Sequence, residues 1–239
     1  MEIRWLGHSA FEIISDENVH ILIDPFITNN PACQVPVEEL KPDIICVTYG
    51  HADHFGDAME LAIENGCSVI GIHEIALFLS KQGINNVGMN IGGSVMYKDI
   101  KFTMLDAKHS SDLDVVDETV PGGSAASFLI TLEDGTKIYH AGDTGLFGDM
   151  KTIIGEIYKP DLCLVPIGDK FTMDPFEASV ATMWYNPKVV IPMHYNTFPP
   201  IEQDTAIFAN FVTQFNPKID VVIMNPGEYF EFNSADYED

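Results

Sequence analysis

The sequence predicts a mixed α/β (α+β) fold, with two mostly antiparallel sheets packed face to face and helices outside. Three observations lead there. Short runs rich in Ile and Val recur along the chain, bounded by Gly, Pro, Asp or Asn. Segments with a 3.6-residue apolar period fall between some of them. Glu133-Asp134-Gly135 joins two such runs closely enough to make a hairpin. The 239 residues and 46% hydrophobic content suffice for one domain spanning 1–239 with a substantial core. No repeat, linker or domain boundary is visible.

In chain order, the expected strands are Ile21–Ile23, Ile44–Thr48, Ser68–Ile72, Lys101–Leu105, Ser127–Leu132, Lys137–His140, Leu162–Pro166, Val189–Pro192 and Val221–Met224. Among the helices, Phe55, Met59, Ala62 and Ile63 share one face, and Gly66 follows as a stop. A second helix is expected over His73–Gln82, ended by Gly83. The clearest helix start is Asp174-Pro175-Phe176-Glu177: aspartate caps, proline suits the first helical position, and glutamate closes a capping box. Phe208, Phe211, Val212 and Phe215 form another apolar face, with Pro217 just beyond. The polar, acidic tail 233–239 is expected to fray.

Composition narrows the function. The formal charge is −24, from 12 basic and 36 acidic residues, and Arg4 is the only arginine. Nucleic-acid binding needs a basic footprint, and none is visible. No apolar run approaches the ~20 residues of a membrane-spanning helix. The start, MEIRWLGHSAFEI, lacks the pattern of a signal peptide. The four cysteines, Cys33, Cys46, Cys67 and Cys163, show no CxxC spacing and read as free thiols in a reducing compartment. A soluble, cytoplasmic protein is expected. No unmistakable interface stripe is readable, which leaves a homo-oligomer open.

The chemistry gathers past the strand ends. His51, Asp53 and His54 follow IICVT; His109 follows KFTML; Asp143 follows KIYH; His194 follows VVIP. One strand-end histidine is usually structural, but the same feature at several strand ends points to a shared site. In His51-Ala52-Asp53-His54 the chain turns from strand to helix, and residues this close supply two adjacent ions more readily than one. Imidazole and carboxylate suit zinc, and manganese or iron with more oxygen ligands. A carboxylate such as Asp143 could bridge two ions ~3.5–4 Å apart.

The motifs WLGHSAFEI, LIDPF, TYGHADHFGD, AKHSS, AGDTG, PIGDKFTMDPFEA and PMHYNTFP, in this order, resemble the metallo-β-lactamase superfamily. More narrowly, they resemble its branch of small metal-dependent hydrolases similar to L-ascorbate-6-phosphate lactonase. The resemblance implies a four-layer αββα sandwich with the metal site at one edge between the sheets. It implies that His51 and His109 hold a first metal, that Asp53, His54 and His194 hold a second, and that Asp143 bridges them. A metal-bound hydroxide would attack a small lactone, ester or phosphoester, and Asp53 would orient it. His8 is placed near the metals, where it could donate to a ligand carboxylate or serve as a structural cap. His140 has the same two readings. Asp24 would hold a loop or a ligand histidine.

Tyr49 departs from the pattern, because a histidine that ligates the first metal normally stands there. Three alternatives are open. Tyr49 ligates as a phenolate; the first site is weak or empty, leaving one metal ion; or the site is degenerate and the protein is a non-catalytic metal-binding or ligand-sensing protein. Lys170 and Asn196 are candidate substrate contacts, the lysine for an anionic group and the asparagine for its amide. A nuclease of the same superfamily is disfavoured by the charge, and a diiron oxidoreductase by the lack of a flavin domain.

Overall fold

The computed structural model describes residues 1–114 and 119–237. Two sheets, each seven-stranded, carry the fold. The first is built from β1 (Glu2–Gly7), β2 (Ala10–Ile14), β3 (His20–Ile23), β4 (Ile44–Cys46), β5 (Ser68–Ile72) and β6 (Asn86–Met89). The second starts with β7 (Ser94–Tyr97) and β8 (Ile100–Asp106), continues past the short pair β9 (Asp112–Leu113) and β10 (Val120–Pro121), and resumes with β11 (Ala126–Thr131), β12 (Lys137–His140), β13 (Leu162–Pro166), β14 (Val189–Met193) and β15 (Asp220–Val221). The chain then returns to the first sheet as β16 (Tyr229–Glu231), beside β1. Strand order is β16-β1-β2-β3-β4-β5-β6 in one sheet and β15-β14-β13-β12-β11-β8-β7 in the other.

Both sheets change character halfway across. β16-β1-β2-β3 and β7-β8-β11-β12 are antiparallel, whereas β3-β4-β5-β6 and β12-β13-β14-β15 are parallel. This corrects the expectation of mostly antiparallel sheets. The physical reason lies in the runs themselves. Every residue of β4, β13 and β14 is buried, so both faces are covered, as they are when helical crossovers join parallel strands.

The helices supply those covers. α1 (Ala52–Phe55) is a single turn; α2 (Ala58–Asn65) packs on β5, and α3 (His73–Lys81) packs on β5 and β6. α2 ends where expected, with Gly66 left-handed at φ 65°, but its buried face is Ala58, Leu61 and Ala62, while Ile63 points to solvent. A π-helix, Met150–Tyr158, connects β12 to β13. α4 (Pro175–Tyr185) begins with the expected capping box: the Glu177 N–H donates to Asp174 at 2.7 Å, and Pro175 opens the helix. α5 (Thr205–Phe215) buries Phe208 and Val212 and lies against α4. The inner faces of both sheets share one hydrophobic core.

The tail departs from its expectation. Ser234–Tyr237 form a 3-10 turn whose Tyr237 ring stacks on Phe232 with centroids 5.4 Å apart; the end of the segment expected to fray, 238–239, lies outside the described residues. All four cysteines are free, with Cys46, Cys67 and Cys163 buried. Among the described residues, no helix is long and apolar enough to cross a membrane.

Candidate metal centre

Five loops meet where strand ends of the two sheets come together. The β1–β2 turn brings His8, the β4–α1 loop brings Tyr49 to His54, and β8, β12 and β14 lead into His109, Asp143 and His194. Backbone hydrogen bonds join them across the sheets. The His8 carbonyl accepts the His194 N–H at 3.0 Å and the Trp5 indole N–H at 3.0 Å, and Trp5 stacks on Tyr195. Ala126 N–H donates to the Thr48 carbonyl at 3.0 Å. His140 settles in a positioning role: its Nε2–H donates to the Ser9 carbonyl at 2.9 Å, and its Nδ1 accepts the Gly142 N–H at 3.1 Å, one residue before Asp143. Burial lowers its pKa, which suits that neutral tautomer.

The turns are strained where they carry these side chains. His8, Asp24 and His194 hold positive φ of 57°, 46° and 55°. Such left-handed backbone costs roughly 1–2 kcal/mol at a residue with a Cβ, and it concentrates at functional sites. Gly168 is required beside His194, because an added Cβ would lie 2.3 Å from the His194 carbonyl oxygen.

One ligand atom from each of His8, Asp53, His54 and His194 lies within 4.8 Å of the others. His8, His54 and His194 are buried and Asp53 is part-exposed. His54 is the best-anchored member. Its Nδ1–H donates to Asp24 Oδ2 at 2.7 Å, and Asp24 also accepts the Thr48 hydroxyl at 2.6 Å and the Thr48 N–H at 2.7 Å. Asp24 thus holds both the loop and the histidine. A carboxylate behind an imidazole in this way fixes the ring and leaves Nε2 as the free lone pair.

That lone pair faces Asp143 Oδ1 at 3.4 Å, and both atoms are buried without a hydrogen-bond partner. Two acceptors in this position require a positive charge between them, so the donor set fits a cation. In its absence a proton serves. Burial opposes the charged imidazole, but the Asp143 and Asp24 carboxylates on either side overcome this and hold His54 well above its ordinary range. Burial would likewise raise Asp143, yet His194 and His54 hold it well below the carboxylate range.

Asp143 Oδ2 is already engaged. It accepts the Tyr49 hydroxyl at 2.9 Å and lies 2.9 Å from His194 Nε2. Burial, then the Asp143 charge, raises the Tyr49 pKa well above that of a free phenol, so the hydroxyl keeps its proton and donates it. The Tyr49 ring sits between His51 and His109, edge-on to both, with centroids 4.6 and 5.1 Å away. His109 Nε2 lies 3.8 Å from Asp143 Oδ2, and both histidines are half-buried. The residues expected around a first metal are therefore gathered, with a phenol in their midst.

His8 comes closer than a supporting residue would need to. Its Nε2 is 3.1 Å from Asp53 Oδ2, its Nδ1 is 2.9 Å from the Thr197 hydroxyl, and its ring centroid is 4.0 Å from that of His194. Burial and the neighbouring His194 lower its pKa to about 4 against the pull of Asp53, so the ring is neutral near pH 7. The pairing of Thr197 with His8 is not legible in the sequence, since 189 positions separate them. Lys170 and Asn196 are not drawn in. Lys170 is exposed and lies over its neighbour Phe171, with Nζ 5.3 Å from the ring centre. Asn196 spends its side-chain oxygen on the Gln203 N–H at 2.8 Å.

A beta-lactamase superfamily domain model matches residues 2–194, which carry every residue of the cluster. The chain belongs to the beta-lactamase superfamily. Within the superfamily it belongs with the UPF0173 metal-dependent hydrolases. One of these, from Methanobrevibacter smithii, is 75% identical over 239 residues, with both chains covered in full. Another, from Methanosphaera stadtmanae, is 55% identical over 95% of this chain and 98% of its own. Among solved structures, Igni18, a metallo hydrolase from the hyperthermophilic archaeon Ignicoccus hospitalis, superposes with a TM-score of 0.86 at 40% identity, covering 97% of this chain and 99% of its own. The superfamily fold and the His/Asp cluster thus occur together in this chain.

Proposed function

We propose that this chain is a hydrolase working with one divalent metal ion, held by Asp53, His54 and His194 and lined by His8 and Asp143 Oδ1. Its substrate is a small lactone, ester or phosphoester. The observation that carries this reading is the asymmetry about Asp143: Oδ1 is bare beside His54, while Oδ2 is capped by the Tyr49 hydroxyl. Mixed imidazole and carboxylate donors suit zinc, and also manganese or iron. When bound, such an ion polarises a carbonyl or phosphoryl oxygen and makes a water acidic enough to attack at neutral pH.

The chain's own groups do the rest. The His8 Nε2–H donates to Asp53 Oδ2, which fixes the carboxylate and leaves Oδ1 to take a proton from the attacking water. Asp24 and Thr48 keep His54 oriented. Phe26 and Phe198 stand edge-on to the His8 ring, with centroids 5.7 and 5.8 Å away, and shield one side of it. A net charge of −24 disfavours polyanionic substrates such as RNA or DNA. Buried free thiols support a cytoplasmic setting.

The experiment is turnover of generic lactone, aryl ester and phosphodiester substrates by the native chain and by His54→Ala, with metal content measured on both. The expected result is turnover by the native chain that falls at least a hundredfold in the variant together with bound metal. Metal binding with no turnover of any substrate class would point instead to the ligand-sensing reading.

A further inference from the structure

A second cavity, of about 230 Å³, lies on the second sheet at the end of β8. Its apolar walls are Ile91, Leu105, Phe147, Ile153, Ile154 and Tyr158. We propose that this cavity is an accessory binding site for a small cationic amphiphile, a single apolar ring carrying an amine.

Size sets the apolar part. A dry cavity on the order of 150 Å³ lined by aliphatic and aromatic side chains holds a benzene ring. The cavity here admits one ring with a short substituent and is too small for a fused polycycle. One wall is the π-helix Met150–Tyr158, which contributes Ile153, Ile154 and Tyr158. Widened π turns are rare and are frequently found at functional sites. The helix is held against α4 at Gly155, where an added Cβ would fall 2.0 Å from the Trp184 carbonyl oxygen. That anchor fixes the helix and keeps the cavity from collapsing.

Charge sets the polar part. The charged groups lining the cavity are Asp106 and Asp149. Lys108 pairs with Asp106 and lies over Phe147, Nζ 5.4 Å from the ring centre, so one negative charge is already offset. Asp149 is exposed at the N-terminal cap of the π-helix and accepts a hydrogen bond from the Thr152 hydroxyl at 3.4 Å, and among the described residues no basic side chain forms an ion pair with it. The field of a chain carrying −24 adds to this. An amine is attracted, a neutral analogue less so, and a carboxylate is repelled.

The cavity also adjoins the metal centre. Asp106 is three residues before His109 and Phe147 four residues after Asp143, so their Cα atoms lie at most roughly 10–14 Å from those of the two site residues. The two loops are tied together: the Lys108 N–H donates to the Thr144 hydroxyl at 3.0 Å, and the Gly145 N–H donates to the Lys108 carbonyl at 3.2 Å.

The test titrates the full chain with benzylamine, benzyl alcohol and benzoate, followed by ligand-observed NMR or calorimetry, in the metal-loaded and metal-stripped forms. Benzylamine should bind saturably and at least threefold tighter than benzyl alcohol, with benzoate weakest. Ile153→Trp fills the mouth from a side chain that is 38% exposed, so the fold has room for it, and it should weaken benzylamine at least tenfold. Asp149→Asn, at an exposed position, should bring benzylamine to the level of benzyl alcohol. No saturable binding, affinity unchanged in Ile153→Trp, or equal affinities for amine and alcohol in the native chain would each overturn the proposal. Binding is read without turnover, so failure here leaves the hydrolase reading standing, and failure of hydrolysis leaves this site standing.

Discussion

The two sides of Asp143 both draw on the segment 49–54 and end in opposite chemical states. On one side, His54 presents a bare lone pair to a bare carboxylate oxygen, with Asp53, His8 and His194 alongside. On the other, His51 and His109 flank Tyr49, whose hydroxyl donates to the remaining oxygen. Unmatched acceptors call for a cation, whereas an acceptor that already holds a phenol proton does not. On the proposed reading, Tyr49 turns an arrangement that could serve two ions into one that favours a single ion. Substitutions on each side and a pH series sharpen or break this contrast.

The largest effect is expected on the side built for a cation. His54→Ala removes the lone pair and should abolish metal retention and turnover together, as set out above. Next comes Asp24→Asn, which replaces the acceptor behind His54 and frees its tautomer. Metal affinity measured by chelator competition should fall about 10–100-fold. An unchanged affinity would mean that the ring is held by packing alone.

Acid should weaken the metal-stripped fold through His8. Its folded pKa is lowered to about 4, whereas an exposed histidine titrates near 6.5. Between those values the unfolded chain takes up a proton that the folded chain refuses, so stability present above about pH 6.5 is lost as pH falls towards 4. The loss should be about 3 kcal/mol. His54, held high, stays protonated in both states over most of that window, and Asp143, held low, acts below it. Denaturant unfolding of the native chain and His8→Gln at both ends of the window isolates the effect: the variant should lose about 3 kcal/mol less, and the loss that stays belongs to His140 and His109, whose pKa values burial also lowers. A smaller change is expected for Thr197→Val, which removes the partner of His8 Nδ1. Turnover should fall severalfold with metal content intact, and Thr197→Ser should restore it.

Much of this was legible in the sequence, unevenly. Runs such as Lys137–His140 and Leu162–Pro166 coincide with strands because burial on two faces leaves little choice of residue. The same continuity signals parallel pairing, which the hairpin-like connection at Glu133-Asp134-Gly135 outweighs in the expectation of mostly antiparallel sheets. β1 was overlooked although Glu2, Ile3, Arg4 and Trp5 alternate outward and inward, since its charged positions broke the apolar run. The strand-end His and Asp residues announced a site, and the structure brings His8, Asp53, His54, His109, Asp143 and His194 to it. The hydrogen bonds that orient them were not legible. Asp24 to His54 spans 30 positions and Thr197 to His8 spans 189, and only the packed sheets bring such pairs together.

The most direct measurement is the number of metal ions per chain, determined by elemental analysis on protein purified without added metal, for the native chain and Tyr49→His. One ion in the native chain and two in Tyr49→His is the expected result, because the substitution takes the phenol proton off Asp143 Oδ2 and supplies an imidazole beside His51 and His109. Two ions in the native chain would contradict the account and show that Tyr49 admits a metal where its proton now sits.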